Sequence, residues 1–133
     1  MQEKRPGELN VMVKAKDLAR YVFEVTQKSP KQYRFSLVAK LHELSLEALE
    51  SLYRANDTFV AEGPDMREKL RLRLDYQHKA LTDLRILAYM AELARENNVI
   101  LPRQHEKISR MSADCMNLLG GWMNSDKKRF GSR

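Results

Sequence analysis

The spacing of apolar side chains is the feature that most constrains how this chain can fold. In four segments they recur every three or four residues, the period of one face of an α-helix, and no segment competes as a strand. The chain is therefore predicted to be all-α. The predicted buried positions are Val11, Met12, Ala15, Leu18, Ala19, Val22 and Val25, then Phe35, Val38, Leu41, Ser45, Leu49, Leu52 and Phe59, then Leu70, Leu74, Leu81, Leu84, Ala88 and Ala91, and finally Ile108, Met111, Cys115, Leu118 and Trp122.

Three short breaks separate these segments. Pro30 interrupts the first because the residue before a proline is pushed out of helical dihedrals. Gly63 suits the end of the second helix and Pro64 the start of the third. Asn97 and Asn98 can adopt the left-handed dihedrals that end the third helix. Long helices with short connections predict an up-down-up-down four-helix bundle.

The predicted organisation is one bundle domain at residues 9–123, between a disordered N-terminus at 1–8 and a basic tail at 124–133. The chain has 133 residues, the size of a single domain, and its 5 glycines are too few for a fold rich in tight turns. A single cysteine excludes an internal disulfide framework and favours a cytoplasmic protein. No apolar run is long enough to predict a membrane span.

The third segment is apolar on more than one face. Ile86, Tyr89 and Leu93 lie about 100–160° around the predicted helix from the stripe that contains Leu81 and Leu84. These side chains belong either to a wide core face or to an interface between subunits, and contiguous exposed apolar surface favours the interface. Trp122 is predicted to contribute to the same packing.

The end of the chain, "LLGGWMNSDKKRFGSR", allows two interpretations. Either Trp122 is the last core position of the fourth helix, or the helix ends at the glycines and Trp122 folds back onto the core. Within a helix, Gly120 and Gly121 would each cost about 1 kcal/mol relative to alanine, and close approach of a neighbouring helix or subunit to the backbone would be a reason to keep them. The cations that follow would lie just past the helix end and could bind a phosphate backbone, and they are Lys127, Lys128 and Arg129.

No constellation of catalytic or metal-binding residues is recognisable. A di-metal site in a bundle needs two Glu-x-x-His pairs, whereas this chain has one Asp-x-x-His pair at Asp75 and His78. Cys115 lies on an apolar stripe, where a thiol behaves as a small hydrophobic side chain. The chain has no phosphate-binding glycine loop and no zinc-ligand spacing. We therefore predict a protein that is not an enzyme and that needs no metal or other cofactor.

The cations form three strips along the predicted helices. The net charge is +6, and residues 101–133 hold 7 cations against 3 acidic residues. Any single cation is most simply a solvated side chain, but three strips on one domain favour a surface that binds phosphates without reading bases. The strips are Lys16 and Arg20 beside Phe23, then Arg67, Arg71 and Arg85 in line with His78, then Arg103, Lys107 and Arg110.

Two stretches resemble a known family. "SPKQYRFSLVAKLHELSLEALESLYRAN" resembles the second helix, and "REKLRLRLDYQHKALTDLRILAYMAELARENNVILPRQHEKISRMSADCMNLLGGW" the third and fourth helices, of the Avd proteins, the accessory variability determinants of diversity-generating retroelements. Arg34, Phe35 and Leu37 and the closing Gly-Gly-Trp are the most specific parts. Bundle proteins encoded in ribosomal RNA intervening sequences are a wider group that resembles this chain less.

The resemblance implies a function that composition does not supply. Avd proteins are non-enzymatic partners of a retroelement reverse transcriptase, assemble as pentameric barrels, bind RNA or DNA, and support mutagenic cDNA synthesis. We therefore expect a homopentamer that binds reverse transcriptase and nucleic acid. The alternative is a helical protein–protein scaffold with no nucleic-acid role. Salt distinguishes the two, since counterion release makes nucleic-acid affinity fall steeply as salt rises.

Overall fold

The computed structural model describes residues 9–131, and every element in that range is helical. The predicted N-terminal disorder at 1–8 lies outside the described residues. Each helix packs against its neighbours in the chain, and the first packs also against the last, so the four-helix bundle is confirmed. The helices are α1 (Asn10–Val25), α2 (Ala39–Asp57), α3 (Met66–Glu96) and α4 (Pro102–Phe130), and a 3₁₀ turn (Lys31–Tyr33) and a π-helical turn (Arg34–Val38) precede α2.

The predicted core of α1 is confirmed at every position, but the α2 stripe is wrong at both ends. Phe35 is 89% exposed and Phe59 is 77% exposed. Phe35 lies in the π-helical turn, whose longer period takes it off the α-helical stripe. Phe59 follows the last residue of α2, Asp57, so helical periodicity no longer applies to it. The positions between them are buried or half-buried.

The second apolar face of α3 divides between core and surface. Ile86 packs partly buried against the core, as a wide core face requires. Tyr89 and Leu93 remain 63% and 42% exposed. A wide core face therefore accounts for one of the three residues, and the assignment of the other two to a subunit interface stays a prediction.

Helix α4 is longer than predicted, and the basic tail is part of it. The helix continues to Phe130, so Trp122 is not its last core position and residues 127–129 do not lie past its end. The core face of α4 continues through Leu119, Met123 and Asp126, while Leu118 is exposed. The reason is tertiary: a buried carboxylate at Asp126 holds this last part of α4 on α3, as described below.

The described connections lie at two ends of the bundle. The two-loop end contains the α1–α2 connection (residues 26–38) and the α3–α4 connection (residues 97–101). The one-loop end contains the α2–α3 connection (residues 58–65), the start of α3 and the end of α4. At the two-loop end Asn98 has a φ of 59°, which confirms the predicted left-handed asparagine.

Helix α3 ends in a Schellman motif, and the two loops are tied together. The Val99 and Asn98 amides donate to the carbonyls of Ala94 and Arg95, and Val99 is buried. The Ser29 hydroxyl donates to the Val99 carbonyl at 2.7 Å. The two-loop end is therefore an ordered platform.

Cys115 is fully buried, as predicted for a small hydrophobic side chain. Burial raises the pKa of its thiol to about 12. Because the thiolate is the reactive form, this side chain is unsuited to nucleophilic chemistry in the folded protein.

Candidate nucleic-acid interface

The predicted basic residues do not form one surface, because they lie at opposite ends of the bundle. Arg103 is in the first turn of α4 and Lys128 in the last. Twenty-five residues of helix separate them, which is roughly 38 Å along the axis. The two ends of the bundle are therefore two separate candidate surfaces.

At the one-loop end, the start of α3 and the end of α4 bring together residues that are far apart in sequence. Arg67 and Arg71 line one groove with Phe130. Arg129 lines a second groove with Phe59 and Phe130, and its guanidinium lies 5.4 Å from the centre of the Phe130 ring. Lys127 and Lys128 are exposed on the same last turns of α4.

An ion pair that is largely buried joins α3 to α4 at this end, and the sequence analysis did not predict it. Arg73 donates to a carboxylate oxygen of Asp126 at 3.0 Å and to the Thr58 carbonyl at 3.0 Å. Gln77 donates to the second carboxylate oxygen at 2.9 Å. The Arg73 and Asp126 side chains are only 13% and 6% exposed. The charges of Arg73 and Asp126 therefore stabilise the packing of α3 against α4.

The Trp122 ring belongs to this cluster. Its centre lies 5.8 Å from the Arg73 guanidinium, in reach of a cation–π contact. The ring also packs partly buried against the core. The structure therefore gives Trp122 a role within the chain, and its predicted place in a subunit interface stays a prediction.

The two-loop end holds a basic cluster that the sequence analysis did not identify. Lys28, Lys31 and Arg34 line one groove in the α1–α2 connection. Lys28 also lines two neighbouring grooves together with Arg103 of α4. Lys28 thus connects the loop cations with the first turn of α4. We refer to Lys28, Lys31, Arg34 and Arg103 as the loop cluster.

The surroundings of the loop cluster contain few acidic groups. Residues 25–42 include four cations and no acidic residue, and Glu24 is the acid that lines a groove with Lys28 and Arg103. Within residues 9–131, no carboxylate forms a salt bridge with any member of the cluster. The signal was present in the sequence as an acid-free run, but the approach of Arg103 required the fold.

The predicted α4 strip continues from this cluster towards the middle of the bundle. The Lys107 ammonium lies 4.4 Å from the centre of the Tyr21 ring on α1. Burial and the Glu24 carboxylate raise the pKa of Tyr21, against the opposing effect of Arg103 and Arg110. Arg110 forms an exposed salt bridge with Glu106 at 3.3 Å. The three predicted α4 cations therefore share the Tyr21 side of the bundle.

The remaining predicted cations lie apart from both ends. Arg20 forms a salt bridge with Asp17 at 2.9 Å, and Lys16 is half-buried. Phe23, predicted to complete their strip, packs against the His42 ring with 4.4 Å between ring centres. Arg85 is exposed near the middle of α3, about 21 Å along the helix from Arg71.

The described part of the chain contains neither a cluster of metal ligands nor a membrane-spanning helix. Between residues 9 and 131, no group of three or more His, Cys, Asp or Glu side chains is arranged to hold a metal ion. None of the helices in that range has the length and apolarity needed to cross a membrane. Asp75 and His78 are both exposed.

Comparison with known proteins adds no identification. No protein-family model matches the chain, and no curated protein matches it significantly.

Proposed function

We propose that this protein is a non-enzymatic accessory protein of a diversity-generating retroelement. In this proposal it binds the reverse transcriptase and template RNA or cDNA, and it works as a homo-oligomer, with a pentamer expected. The retroelement setting and the pentamer rest on the resemblance to Avd proteins. The nucleic-acid part rests on the loop cluster.

The single observation that supports nucleic-acid binding is the arrangement of the loop cluster. Three cations of the α1–α2 connection and Arg103 in the first turn of α4 surround connected grooves, and residues 25–42 contain no acidic residue. Cations in such an arrangement attract a phosphate backbone and release its counterions. The cluster offers no helix that could enter a major groove with several base-reading side chains, so binding without sequence readout is expected.

A matched pair of triple variants tests this assignment. Lys28→Gln, Lys31→Gln and Arg34→Gln remove three charges at the two-loop end. Arg71→Gln, Lys127→Gln and Lys128→Gln remove three exposed charges at the one-loop end. Affinity for a structured RNA is measured by fluorescence anisotropy over a range of salt concentrations, because the salt dependence counts the phosphates that the protein neutralises.

The first variant is expected to lower the slope of log affinity against log salt by roughly 2–3, since each neutralised phosphate contributes about 0.7–0.9. The second variant has the same net charge and is expected to change the slope by less. Equal effects of the two variants would mean that net charge alone determines affinity. Complete absence of salt-sensitive binding by the unmodified protein would reject the nucleic-acid role.

The oligomer and the reverse transcriptase require separate measurements. Light scattering gives the solution mass, with a pentamer expected. Co-purification with the reverse transcriptase and a cDNA synthesis assay with and without the protein test the accessory role. A monomer, together with normal cDNA synthesis in its absence, would contradict the retroelement proposal even if RNA binding were observed.

The alternative function is a protein–protein scaffold, and exposed apolar side chains favour it. Tyr89 and Leu93 lie on the outer face of α3, and Phe59 lies beside a groove at the one-loop end. Under this alternative the protein would bind no RNA at any salt concentration, and Tyr89→Ser with Leu93→Ser would abolish its self-association or partner binding.

A further inference from the structure

We infer that the two-loop end binds single-stranded nucleic acid, with an unpaired base stacked on the Phe35 ring. This inference rests on the proposed nucleic-acid function and adds to it the form of the ligand and the residue that selects it.

Phe35 is the most exposed of the large hydrophobic side chains among the described residues, at 89%. It lies in the π-helical turn Arg34–Val38. Such turns are rare in proteins overall, and those that occur are often found at functional sites. The turn is anchored from below, because Val38 and the first α2 core residue, Leu41, are buried. The ring is therefore presented to solvent by a well-packed segment.

The charges around Phe35 distinguish it from the other exposed aromatic residues. The groove beside Phe59 is lined by two cations, Arg73 and Arg129, and by the acidic Glu62. On the outer face of α3, the acidic Glu92 follows Tyr89. Phe35 follows Arg34 and lies within the acid-free run 25–42. The composition of its segment is therefore complementary to an anionic ligand that also presents a flat apolar surface.

Nucleic-acid bases supply that surface only when they are unpaired. In a duplex both faces of a base are covered by its neighbours, so an aromatic side chain can stack only on a splayed or single-stranded base. Proteins that bind single strands combine a basic groove that follows the backbone with aromatic side chains that stack on bases. The grooves that run from Arg34 through Lys28 to Arg103 provide the first element and Phe35 the second.

The support of this surface is ordered before any ligand binds. The hydrogen bond between Ser29 and Val99 joins the two loops, and the Tyr33 amide donates to the Pro30 carbonyl. Ile100, a residue of the α3–α4 connection, is buried. A preformed surface binds with less loss of conformational entropy than one that orders on binding.

The test compares oligonucleotides of about 12 nucleotides, which is within the site sizes of single-strand binders. A fluorescent single strand and the same strand annealed to its complement are titrated with the intact protein. The variants are Phe35→Leu, which keeps an apolar side chain, Phe35→Trp, which keeps a stacking surface, and the control Phe59→Leu. Circular dichroism verifies that each variant is folded.

Phe35→Leu is expected to weaken single-strand binding by about 5- to 150-fold, the range for loss of one stacked base. Phe35→Trp should retain affinity, Phe59→Leu should have no effect, and duplex binding should be weaker and insensitive to position 35. Since stacking does not involve counterions, the salt slope of Phe35→Leu should stay unchanged.

Three results would overturn the inference. If single strands and duplexes bind equally and Phe35→Leu has no effect, the inference fails while the proposed nucleic-acid function stands. If no oligonucleotide binds, both fail. If Phe35→Leu lowers the solution mass in light scattering, Phe35 is covered by a second copy of the chain and the base-stacking assignment is wrong.

Discussion

The two ends of the bundle use cations in opposite ways. At the one-loop end Arg73 is largely buried, bonded to Asp126 and to a backbone carbonyl, and placed against Trp122. At the two-loop end Lys28 and Arg34 lie on the surface among grooves, without a salt bridge to any described residue. Cation count alone therefore does not locate a binding surface, because burial and partners decide whether a charge stabilises the fold or remains available to a ligand.

The largest effect is expected from breaking the ion pair at the one-loop end. Asp126→Ala leaves the Arg73 guanidinium buried without its carboxylate, and the free energy of unfolding should fall by about 3–5 kcal/mol. Urea denaturation followed by circular dichroism measures this change. Protein concentration must be matched between variants, because self-association contributes to apparent stability.

Two controls accompany this variant. Glu106→Ala removes the partner of Arg110 in an exposed pair and should cost less than about 1 kcal/mol. The double variant Arg73→Met with Asp126→Leu removes both charges of the pair and should recover part of the lost stability, because the buried Gln77 amide still lacks its acceptor. An Asp126→Ala cost as small as that of Glu106→Ala would show that the end is not held by this pair.

A smaller change of opposite sign is expected at two glycines of α4 next to this end. Among residues 9–131, no heavy atom outside the local helix backbone lies within 4 Å of a Cβ added at Gly120 or Gly121. The predicted close approach of a neighbouring helix is therefore wrong for the described residues. Gly120→Ala and Gly121→Ala should each stabilise the protein by about 0.8–1.0 kcal/mol, the difference in helix propensity.

Urea denaturation and light scattering of the glycine variants also test the predicted subunit approach. Stabilisation with unchanged solution mass would mean that no second subunit contacts this part of α4. Destabilisation with a lower mass would mean that another copy approaches the glycine backbone closely, and the one-loop end would then take part in assembly.

The sequence predicts local features of the fold better than contacts between distant residues. The core of α1 could be predicted completely, because a single buried face imposes the helical period on its own residues. Phe35 could not, because the π-helical turn changes the period locally. On α4 the predicted stripe contained Leu118 where the structure buries Leu119, since an α-helical face is wide enough to fit either choice.

The interactions that define the two ends have no local signal. Arg73 and Asp126 are 53 positions apart in sequence, and nothing near either residue indicates the other. The apolar spacing predicts the end of α4 at Trp122, with an earlier end at the glycines as the alternative, whereas the helix continues to Phe130. Only the pairing of α3 with α4 explains why the helix continues. Likewise, the cations of the α1–α2 connection are visible in the sequence, but Arg103 joins them through the fold.

The smallest expected effect concerns pH at the two-loop end, where His42 lines a groove with Lys31 and Arg34. Thr26 donates its hydroxyl hydrogen to the Val22 carbonyl at 2.8 Å, so its oxygen accepts a hydrogen bond from His42 Nε2 at 2.8 Å. Burial lowers the pKa of His42 below its usual 6.5. Protonation is therefore easier in the unfolded chain than in the folded protein.

The sign of the effect on stability follows from this difference. Above pH 6.5 both states are neutral at His42 and stability is highest with respect to this group. As the pH falls from 6.5 through the lower folded pKa, the unfolded state binds the proton first and the free energy of unfolding decreases. The urea midpoint should therefore fall between about pH 7.5 and about pH 5.5. His42→Gln should reduce this fall, whereas His78→Gln, at an exposed position, should not.

The pH dependence of nucleic-acid affinity should also distinguish the two ends. A protonated His42 adds a positive charge to a groove that already contains loop-cluster cations, so nucleic-acid affinity should rise over the pH range in which stability falls. The rise should persist in the variant with Arg71→Gln, Lys127→Gln and Lys128→Gln and should disappear in His42→Gln. An affinity that rises equally in His42→Gln would assign the pH dependence to another group and separate His42 from the binding surface.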